Sequence, residues 1–405
     1  MQSVQYSKAG LLIRNFLSDN SEINMTDLIN HVIKNDLNDN EIVLLAKGLA
    51  ESGATFSFQD DIICDIPSTG GPASLTTLIC PLFLKLLGCK VLKLGVPGRP
   101  AGGIDVLSQI EGFNNNPNSD EVKKWLDESR YVHILANDSF TPADAILFEF
   151  RKRNSALNIP SLVIASLLSK KLAVGLKSLG LDVRVSEFGN FGATYDEAKE
   201  NCIRFNKISS LLGINSKCFI TNGNLPQQPF IGRGEALLAF KYIFFNIENA
   251  YLKKHISQCL SMALSLSPRR IINFSYTDIK NCFFENIEIQ GGKIKSFFEI
   301  IENVEANHIY TITSSKSGFL SIDLLKIRNT IVKIQNSYNH IQFPDPCGII
   351  LKRMPSEFVQ EGEVICTLRC EEGFLNNFIR DINSTFYIYD NNLTSVIDTI
   401  SHGKI

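Results

Sequence analysis

A polar, glycine-containing turn, Asp65-Ile66-Pro67-Ser68-Thr69-Gly70-Gly71, stands between two apolar segments of this chain. Residues 62–64 before it form the end of a predicted buried strand, and residues 75–87 after it form a predicted helix. A turn from strand to helix presents backbone N–H groups, the positive end of a helix dipole and several hydroxyls, which together suit an anion. The same residues also make ordinary tight turns, so the pattern alone leaves a phosphate site and a plain turn both open.

The composition is that of a globular chain with room for two or three domains, since 44% of its 405 residues are hydrophobic and 20% are charged. A formal net charge of −2 offers no basic surface for nucleic acid or an anionic membrane. No apolar run is suited to span a bilayer and the first residues lack the layout of a secretory signal, so we expect a cytoplasmic protein. The ten cysteines contain no C-x-x-C pair, and we expect buried thiols rather than disulfides or metal ligands.

Two helices are predicted before the glycine turn, at residues 26–35 and 40–52. Thr26 is the expected N-cap of the first helix, and Ile33 belongs to its apolar stripe. Gly53 is the expected C-cap of the second helix. The opening of the chain is therefore predicted to be helical.

A predicted strand at residues 90–94 follows the turn and its helix, and it leads into a loop rich in glycine and proline at residues 95–103. This order is typical of an α/β sheet, so we expect both glycine segments at neighbouring strand ends.

Further helices and strands are predicted along the rest of the chain. They are a helix at 120–129, strands at 131–135 and 181–185, a helix opened by Pro142, and a helix from Pro160 to near Gly180. From about Ser275 the pattern changes to alternating strands with glycine-containing turns, which predicts a separate C-terminal α+β unit.

Three polar side chains on two consecutive predicted helices can converge on one spot. Ser166 and Lys170 are four residues apart and share one helix face, whereas Lys171 points elsewhere. Arg151 ends the preceding helix, and the chain then folds back. A solvated helix face would also account for these residues. The functional interpretation is that an Arg, a Lys and a hydroxyl match the carbonyl, N–H, carbonyl edge of a uracil ring.

Taken in order, these motifs resemble those of the thymidine phosphorylase and pyrimidine nucleoside phosphorylase family. The matching segments cover nearly the whole chain and are residues 65–71, 102–113, 151, 166–173, 181–185 with Phe191, and 344–348 with Gly362. The resemblance implies an α/β plus α fold in three domains. These are a helical base-binding domain (1–64 and 142–181), an α/β phosphate-binding domain with a central mixed sheet (65–141 and 182–274) and a C-terminal α+β domain (275–405). It also implies a cleft between the first two domains and a homodimer built through helices.

The resemblance also implies site residues, carried over position by position. Arg151, Ser166 and Lys170 match the base-binding and catalytic trio, and Phe191 belongs to the next substrate-binding motif. The phosphate-binding set comprises Ser68, Thr69, Gly70, Gly71 and Thr77.

The sequence departs from the family pattern at the phosphate site. Ile66 and Pro67 stand where the family has Lys-His, and two further phosphate hydroxyls fall on Gly95 and Gly103. Losing a cation and two hydroxyls predicts weak phosphate binding, because charge-assisted hydrogen bonds are the strong ones.

Two cations are candidates to restore the lost charge, Lys93 from the neighbouring strand and Arg99 from the glycine loop. His133, in an apolar strand, and His31, on a helix, are interpreted as structural.

The chemistry that the resemblance implies is pentosyl transfer. Arg151 and Lys170 would stabilise the charge that grows on a departing pyrimidine while a nucleophile attacks the anomeric carbon, without a metal, cofactor or covalent intermediate. The expected partners are a pyrimidine nucleoside or base and, as default acceptor, phosphate. Two alternatives stay open: a glycosyltransferase or nucleoside hydrolase that uses another acceptor or a sugar phosphate donor, and a nucleoside-binding homologue without turnover.

Overall fold

The chain folds into a mixture of helices and strands, seen in a computed structural model that describes residues 7–58, 62–71, 73–136, 139–187, 189, 191–267, 273–337, 345–391 and 403–404. The helices are α1 (Lys8–Ser18), α2 (Glu22–Asn35), α3 (Asp39–Glu51), α4 (Thr76–Leu86), α5 (Gly103–Leu107), α6 (Ser119–Ser129), α7 (Pro142–Arg153), α8 (Pro160–Ala173), α9 (Tyr195–Leu211), α10 (Arg233–Phe244), α11 (Ala250–Leu266), α12 (Tyr276–Ile289), α13 (Ile294–Asn307), α14 (Leu324–Gln335) and α15 (Leu375–Asn383). The strands are β1 (Cys64–Asp65), β2 (Val91–Gly95), β3 (Tyr131–Leu135), β4 (Ser178–Val185), β5 (Asn215–Asn222), β6 (Phe230–Ile231), β7 (Tyr310–Thr313), β8 (Gly318–Ile322), β9 (Cys347–Leu351), β10 (Phe358–Val359), β11 (Val364–Cys370), β12 (Phe386–Tyr389) and β13 (Gly403–Lys404).

The chain forms two compact units. Unit 1 comprises Met1–Asp65, Ala136–Thr221 and His402–Ile405, and unit 2 comprises Ile66–Leu135 and Asn222–Ser401. The predicted boundary at 64/65 falls within one residue of a unit boundary. Residues 182–221 group with unit 1, and the predicted C-terminal domain groups largely with unit 2. The division into three domains stays a prediction.

Unit 1 combines packed helices with a mixed sheet. Helix α3 packs against α8, α7 and α9, and α1 packs against α2. The sheet has the strand order β1-β4-β5-β13, in which β1 runs parallel to β4 and β13 antiparallel to β5. Strand β4 is buried along its whole length, as expected of an internal strand.

Unit 2 is built around α4, a parallel strand pair and two antiparallel sheets. Strands β2 and β3 pair in parallel from Val91↔Tyr131 to Gly95↔Leu135. Helix α4 packs against α11 and α12. The sheets β6-β9-β11-β7 and β10-β8-β12 share an apolar core with α14 and α15.

The predicted start of one helix and the predicted end of another were wrong. Helix α2 begins after Ser21, whereas Thr26 lies inside it and donates to the Glu22 carbonyl at 2.7 Å. Ile33 is 63% exposed, because the buried stripe of α2 runs through other positions. Helix α8 ends at Ala173 rather than near Gly180, since Gly175 adopts a φ of +65°, which suits glycine and terminates a helix.

Two larger expectations were also wrong. Residues after Ser275 form the helices α12 and α13 before any strand appears; a Ser275–Asp278 capping box opens α12, whose buried residues have helical spacing. The two glycine segments do not follow neighbouring strands, because β1 pairs with β4 and β2 pairs with β3 in another sheet. Pro344 of the last family-like motif and Asn190 beside Phe191 lie outside the described residues.

The structure also shows the state of the cysteines and the length and apolarity of the helices. The ten cysteines all lie in the described residues and are thiols rather than disulfides, and all but Cys370 are buried, as predicted. Within the described part of the chain, no helix has the length and apolarity to cross a bilayer.

Candidate functional site

Lys170 and Ser166 lie together on α8 in unit 1. The Lys170 ammonium donates to the Ser166 hydroxyl and to the Ser166 carbonyl, each at 3.0 Å. It also contacts the carboxylate of Asp144 on α7. The Lys170 side chain remains 17% exposed, whereas that of Asp144 is 3% exposed. The structure therefore brings two of the three predicted base-binding residues together and adds a buried carboxylate beside them.

Asp144 is a site candidate that the sequence interpretation missed. It lies in the first turn of α7, which begins at Pro142, so it is easily taken for a favourable partner of the helix dipole. Its spacing of seven residues from Arg151 places both residues on one face of α7. That spacing is the signal by which Asp144 could have been found.

Arg151 is 2% exposed, and its guanidinium is directed at the main chain. Its Nε donates to the Ala156 carbonyl at 3.1 Å, Nη2 to the Leu157 carbonyl at 2.9 Å and Nη1 to the Leu162 carbonyl at 3.4 Å. Burial lowers the pKa of Arg151 to about 10, although the charge of Asp144 opposes this shift. Three of the five guanidinium N–H groups are thus directed at the main chain, and direct binding of a base by Arg151 stays a prediction.

Lys171 points away from Lys170, as the sequence predicted. Its ammonium lies 2.6 Å from the carboxylate of Asp65, and the two side chains are 5% and 0% exposed. This buried ion pair joins α8 to the last residue of β1. The two consecutive lysines of α8 thus have separate partners, and only Lys170 remains partly exposed.

Phe191 is buried in the core of unit 1. Its ring packs edge-on against Phe205 of α9, with ring centroids 5.9 Å apart and an interplanar angle of 79°. Its carbonyl accepts a hydrogen bond from Asn201 at 3.2 Å. In this structure the ring therefore supports α9, and its predicted contact with a substrate stays a prediction.

The glycine turn of unit 2 has the backbone conformation that its sequence suggests. Gly70 and Gly71 both adopt a φ of +113°, and the Gly70 N–H donates to the Ser68 hydroxyl at 3.3 Å. A Cβ on Gly70 would meet nothing within 4 Å, so the glycine is explained by its φ rather than by crowding. Ser68 and Thr69 are half-buried, as is Thr77 in the first turn of α4.

Lys93 brings a positive charge to the start of this turn. The side chain is 3% exposed, and its ammonium donates to the Ile66 carbonyl at 3.1 Å. Position 66 is where the family pattern carries a lysine side chain. The ammonium of Lys93 therefore reaches from β2 to the backbone of the position at which that charge is missing.

Arg99 is exposed on the second glycine segment, which a carboxylate organises. The N–H groups of Gly98 and Arg99 donate to the Asp105 carboxylate at 2.8 and 3.1 Å. Burial raises the pKa of Asp105, whereas the charge of Arg233 and the two N–H donors act in the opposite direction. Burial lowers the pKa of Arg328, and the charge of Arg99 lowers it further.

The chain is similar in sequence to pyrimidine-nucleoside phosphorylases. No family model matches the chain. It is 29% identical over 379 residues to the pyrimidine-nucleoside phosphorylase of Staphylococcus epidermidis, covering 89% of this chain and 85% of the relative. It is 23% identical over 378 residues to the pyrimidine-nucleoside phosphorylase of Staphylococcus haemolyticus, covering 87% and 85%.

Among solved structures, the chain resembles anthranilate phosphoribosyltransferase from Thermus thermophilus. The TM-score is 0.51 at 14% identity, over 74% of this chain and 94% of that chain. At this identity the likeness concerns the fold alone.

Proposed function

This chain is a divergent homologue of the pyrimidine-nucleoside phosphorylases, and from that premise we propose that it is a pentosyltransferase that makes or breaks the N-glycosidic bond of a pyrimidine nucleoside. The default acceptor is phosphate. The proposal includes a cytoplasmic location and a homodimer. It assigns the base to Lys170 and Ser166 of unit 1 and the acceptor to the glycine turn, Thr77 and Lys93 of unit 2.

The observation that carries the proposal is the partly exposed ammonium of Lys170, held between Ser166 and Asp144. The Ser166 hydroxyl accepts a hydrogen bond from Lys170, so its own hydrogen is available to a base carbonyl. A base carbonyl can also replace the Ser166 oxygen on Lys170. Both groups then act as donors toward one edge of a pyrimidine.

The chemical step follows from the charge of these groups. When the glycosidic bond breaks, negative charge grows on the departing base, and a fixed cation stabilises that charge more than it stabilises the neutral substrate. Lys170 fulfils this role in the proposal, and Asp144 holds it in place. The Lys93 ammonium offsets part of the negative charge of the acceptor, and the N–H groups of the glycine turn donate hydrogen bonds to it.

The test is release of base by the purified full chain. Thymidine, deoxyuridine and uridine are each incubated with and without phosphate, and release is followed by absorbance. We expect phosphate-dependent release that Lys170→Ala lowers by about 100-fold, the loss typical of one electrostatic donor. Lys152→Ala, at an exposed position of α7, is the matched control and should leave release unchanged. Equal release by the Lys170→Ala variant would contradict the assignment of the base site.

A second candidate function is transfer to an acceptor other than free phosphate. Ile66 and Pro67 favour it, because they replace the Lys-His of the family pattern, whose lysine contributes charge to the phosphate site. Base release at equal rates with and without phosphate would indicate hydrolysis. Thymidine binding without release under any condition would indicate a nucleoside-binding homologue.

A further inference from the structure

The His133 ring of β3 occupies the place where a side chain at position 103 would lie. A Cβ built on Gly103 would stand 2.5 Å from Cε1 of His133, closer than the 3.0 Å below which a neighbouring atom must shift. The same Cβ would lie 3.3 Å from the Thr77 hydroxyl. Of these two neighbours, only the imidazole is close enough to exclude a side chain.

The imidazole cannot yield easily, because both its ring and its backbone are held. Nδ1 lies 3.1 Å from the Tyr131 hydroxyl. The His133 N–H donates to Gln290 Oε1 at 2.9 Å, and its carbonyl accepts from Gln290 Nε2 at 2.9 Å. The residue is 1% exposed. Position 103 is therefore kept as glycine by a fixed ring and not by its backbone angle, since no φ in the left-handed region occurs there.

The surroundings place this contact at the proposed acceptor site. Thr77 is one of the hydroxyls assigned to the acceptor, and Gly103 opens α5 at the end of the second glycine segment. His133 is the register partner of Lys93, so both side chains leave the β2/β3 pair on the same face. The Lys93 ammonium then contacts the Ile66 carbonyl, at the start of the glycine turn.

We propose that His133 determines the acceptor specificity of this site. By filling the side-chain space of position 103, the ring removes a second hydroxyl from beside Thr77, and so it weakens the site for a compact dianion relative to less charged acceptors. The inference rests on the proposed function, because it takes Thr77 and Lys93 as acceptor-binding groups.

Three variants of the full chain test the proposal: Gly103→Ser, His133→Val and the double variant. We expect Gly103→Ser alone to lower the melting temperature, and the same substitution in the His133→Val background to lower it far less. Calorimetric titration with inorganic phosphate at fixed ionic strength should show at least about tenfold tighter binding by the double variant than by the wild type or His133→Val, the gain expected of a hydrogen bond to a charged group.

Controls and contrary outcomes separate this inference from the proposed function. Gly373→Ser, at a position where a Cβ meets nothing within 4 Å, should change neither readout, and His133→Ala provides a second background if the valine variant does not fold. A Gly103→Ser variant as stable as the wild type, or a folded double variant with unchanged phosphate affinity, would overturn the role of His133. Release of base from thymidine by the wild type is measured separately. If no base is released, the proposed pentosyltransferase function is overturned, whereas the stability and phosphate-binding results still decide the role of His133.

Discussion

Arg151 is a buried cation whose hydrogen bonds are directed to two carbonyls between α7 and α8 and to one in the first turn of α8. A guanidinium can serve three separate carbonyls because its donors form a rigid fork, whereas a lysine carries one compact charge. Burial has already lowered the pKa of Arg151 to about 10, so this charge is stable only while these carbonyls solvate it. The residue type alone suggests a ligand contact, and the hydrogen bonds suggest a structural role as well.

Substituting Arg151 with lysine should separate these roles. We expect Arg151→Lys to lower the free energy of unfolding by about 3 kcal/mol, because buried carbonyls lose charged donors. Arg153→Lys is the matched control on the same helix, since Arg153 is 62% exposed and its ion pair with Glu22 is solvated; it should change stability by less than about 1 kcal/mol. Urea unfolding measures both. An Arg151→Lys variant with wild-type stability but lost thymidine affinity would favour the direct base contact instead.

Asp144 should act on activity through Lys170. With Asp144→Asn, the ammonium loses its carboxylate partner and is free to leave the position in which it meets the base. We expect kcat for base release to fall by about 10- to 100-fold with a smaller change in KM, since the ammonium contributes most in the transition state. Glu149→Gln, exposed on the same helix, should leave both constants unchanged. A higher KM with an unchanged kcat would show that Asp144 serves substrate binding only.

At the level of elements, α8 is held on two sides by its consecutive lysines. Lys170 reaches α7 through Asp144, and Lys171 reaches β1 through Asp65. Successive helical residues point about 100° apart, so one helix can meet two neighbours with adjacent side chains. The second pair is buried, and there the removal of the ammonium takes a cation from a buried carboxylate.

The Lys171 pair gives the prediction for this element. Lys171→Met should lower the free energy of unfolding by about 3–5 kcal/mol, because the buried carboxylate of Asp65 then loses its ion pair with Lys171. Lys207→Met, which breaks the exposed pair with Asp39, should cost about 1 kcal/mol or less. Adding Asp65→Asn to the Lys171→Met variant should recover part of the loss. If denaturant titrations show additive losses in the double variant, the two residues are not energetically coupled.

Local signals in the sequence were sufficient for several elements. Strand β3 matches its prediction at 131–135, and α7 and α8 begin at the prolines that predicted them, because proline at the first helical position is a local preference. The prediction of strands directly after 275 was wrong, because the glycine-containing turns belong to later residues and the local signal at 276–289 is the helical spacing of α12.

In the candidate site, too, some features could be predicted from the sequence and others could not. The spacing of Ser166 and Lys170 is a property of one helix and was available from sequence. The hydrogen bonds of Arg151 depend on the conformation of the chain that follows α7, which periodicity does not encode. The reach of Lys93 to the Ile66 carbonyl and the position of the His133 ring depend on how segments distant in sequence pack.

At the level of the whole molecule, acid stability is tied to a buried charge network in unit 2. Arg369 donates through Nε to Glu235 at 2.8 Å and through Nη2 to Asp345 at 3.2 Å, and His308 lies 2.8 Å from Glu235. Burial alone would raise the pKa of Glu235, but the charge of Arg369 and the hydrogen bond to His308 lower it below its ordinary 4.5. Burial raises the pKa of Asp345. Protonation of Asp345 as the pH falls therefore favours the folded state, whereas protonation of Glu235 disfavours it.

The sign of the Glu235 contribution follows from linkage. Its folded-state pKa is depressed, so the stability that it provides is fully present above pH 4.5 and is lost as the pH falls through the folded-state value. Glu235→Gln should therefore lower the free energy of unfolding by about 3–5 kcal/mol at pH 7, where Arg369 loses one of its two buried carboxylate partners, and by progressively less below pH 4.5. Glu305→Gln, which removes the partner of Lys241 at a partly exposed site, should cost about 1 kcal/mol or less. Urea unfolding of the three proteins between pH 3 and 7 measures this difference, and a Glu235→Gln deficit that stays constant across the range would mean that Glu235 is not the group whose charge stabilises the fold.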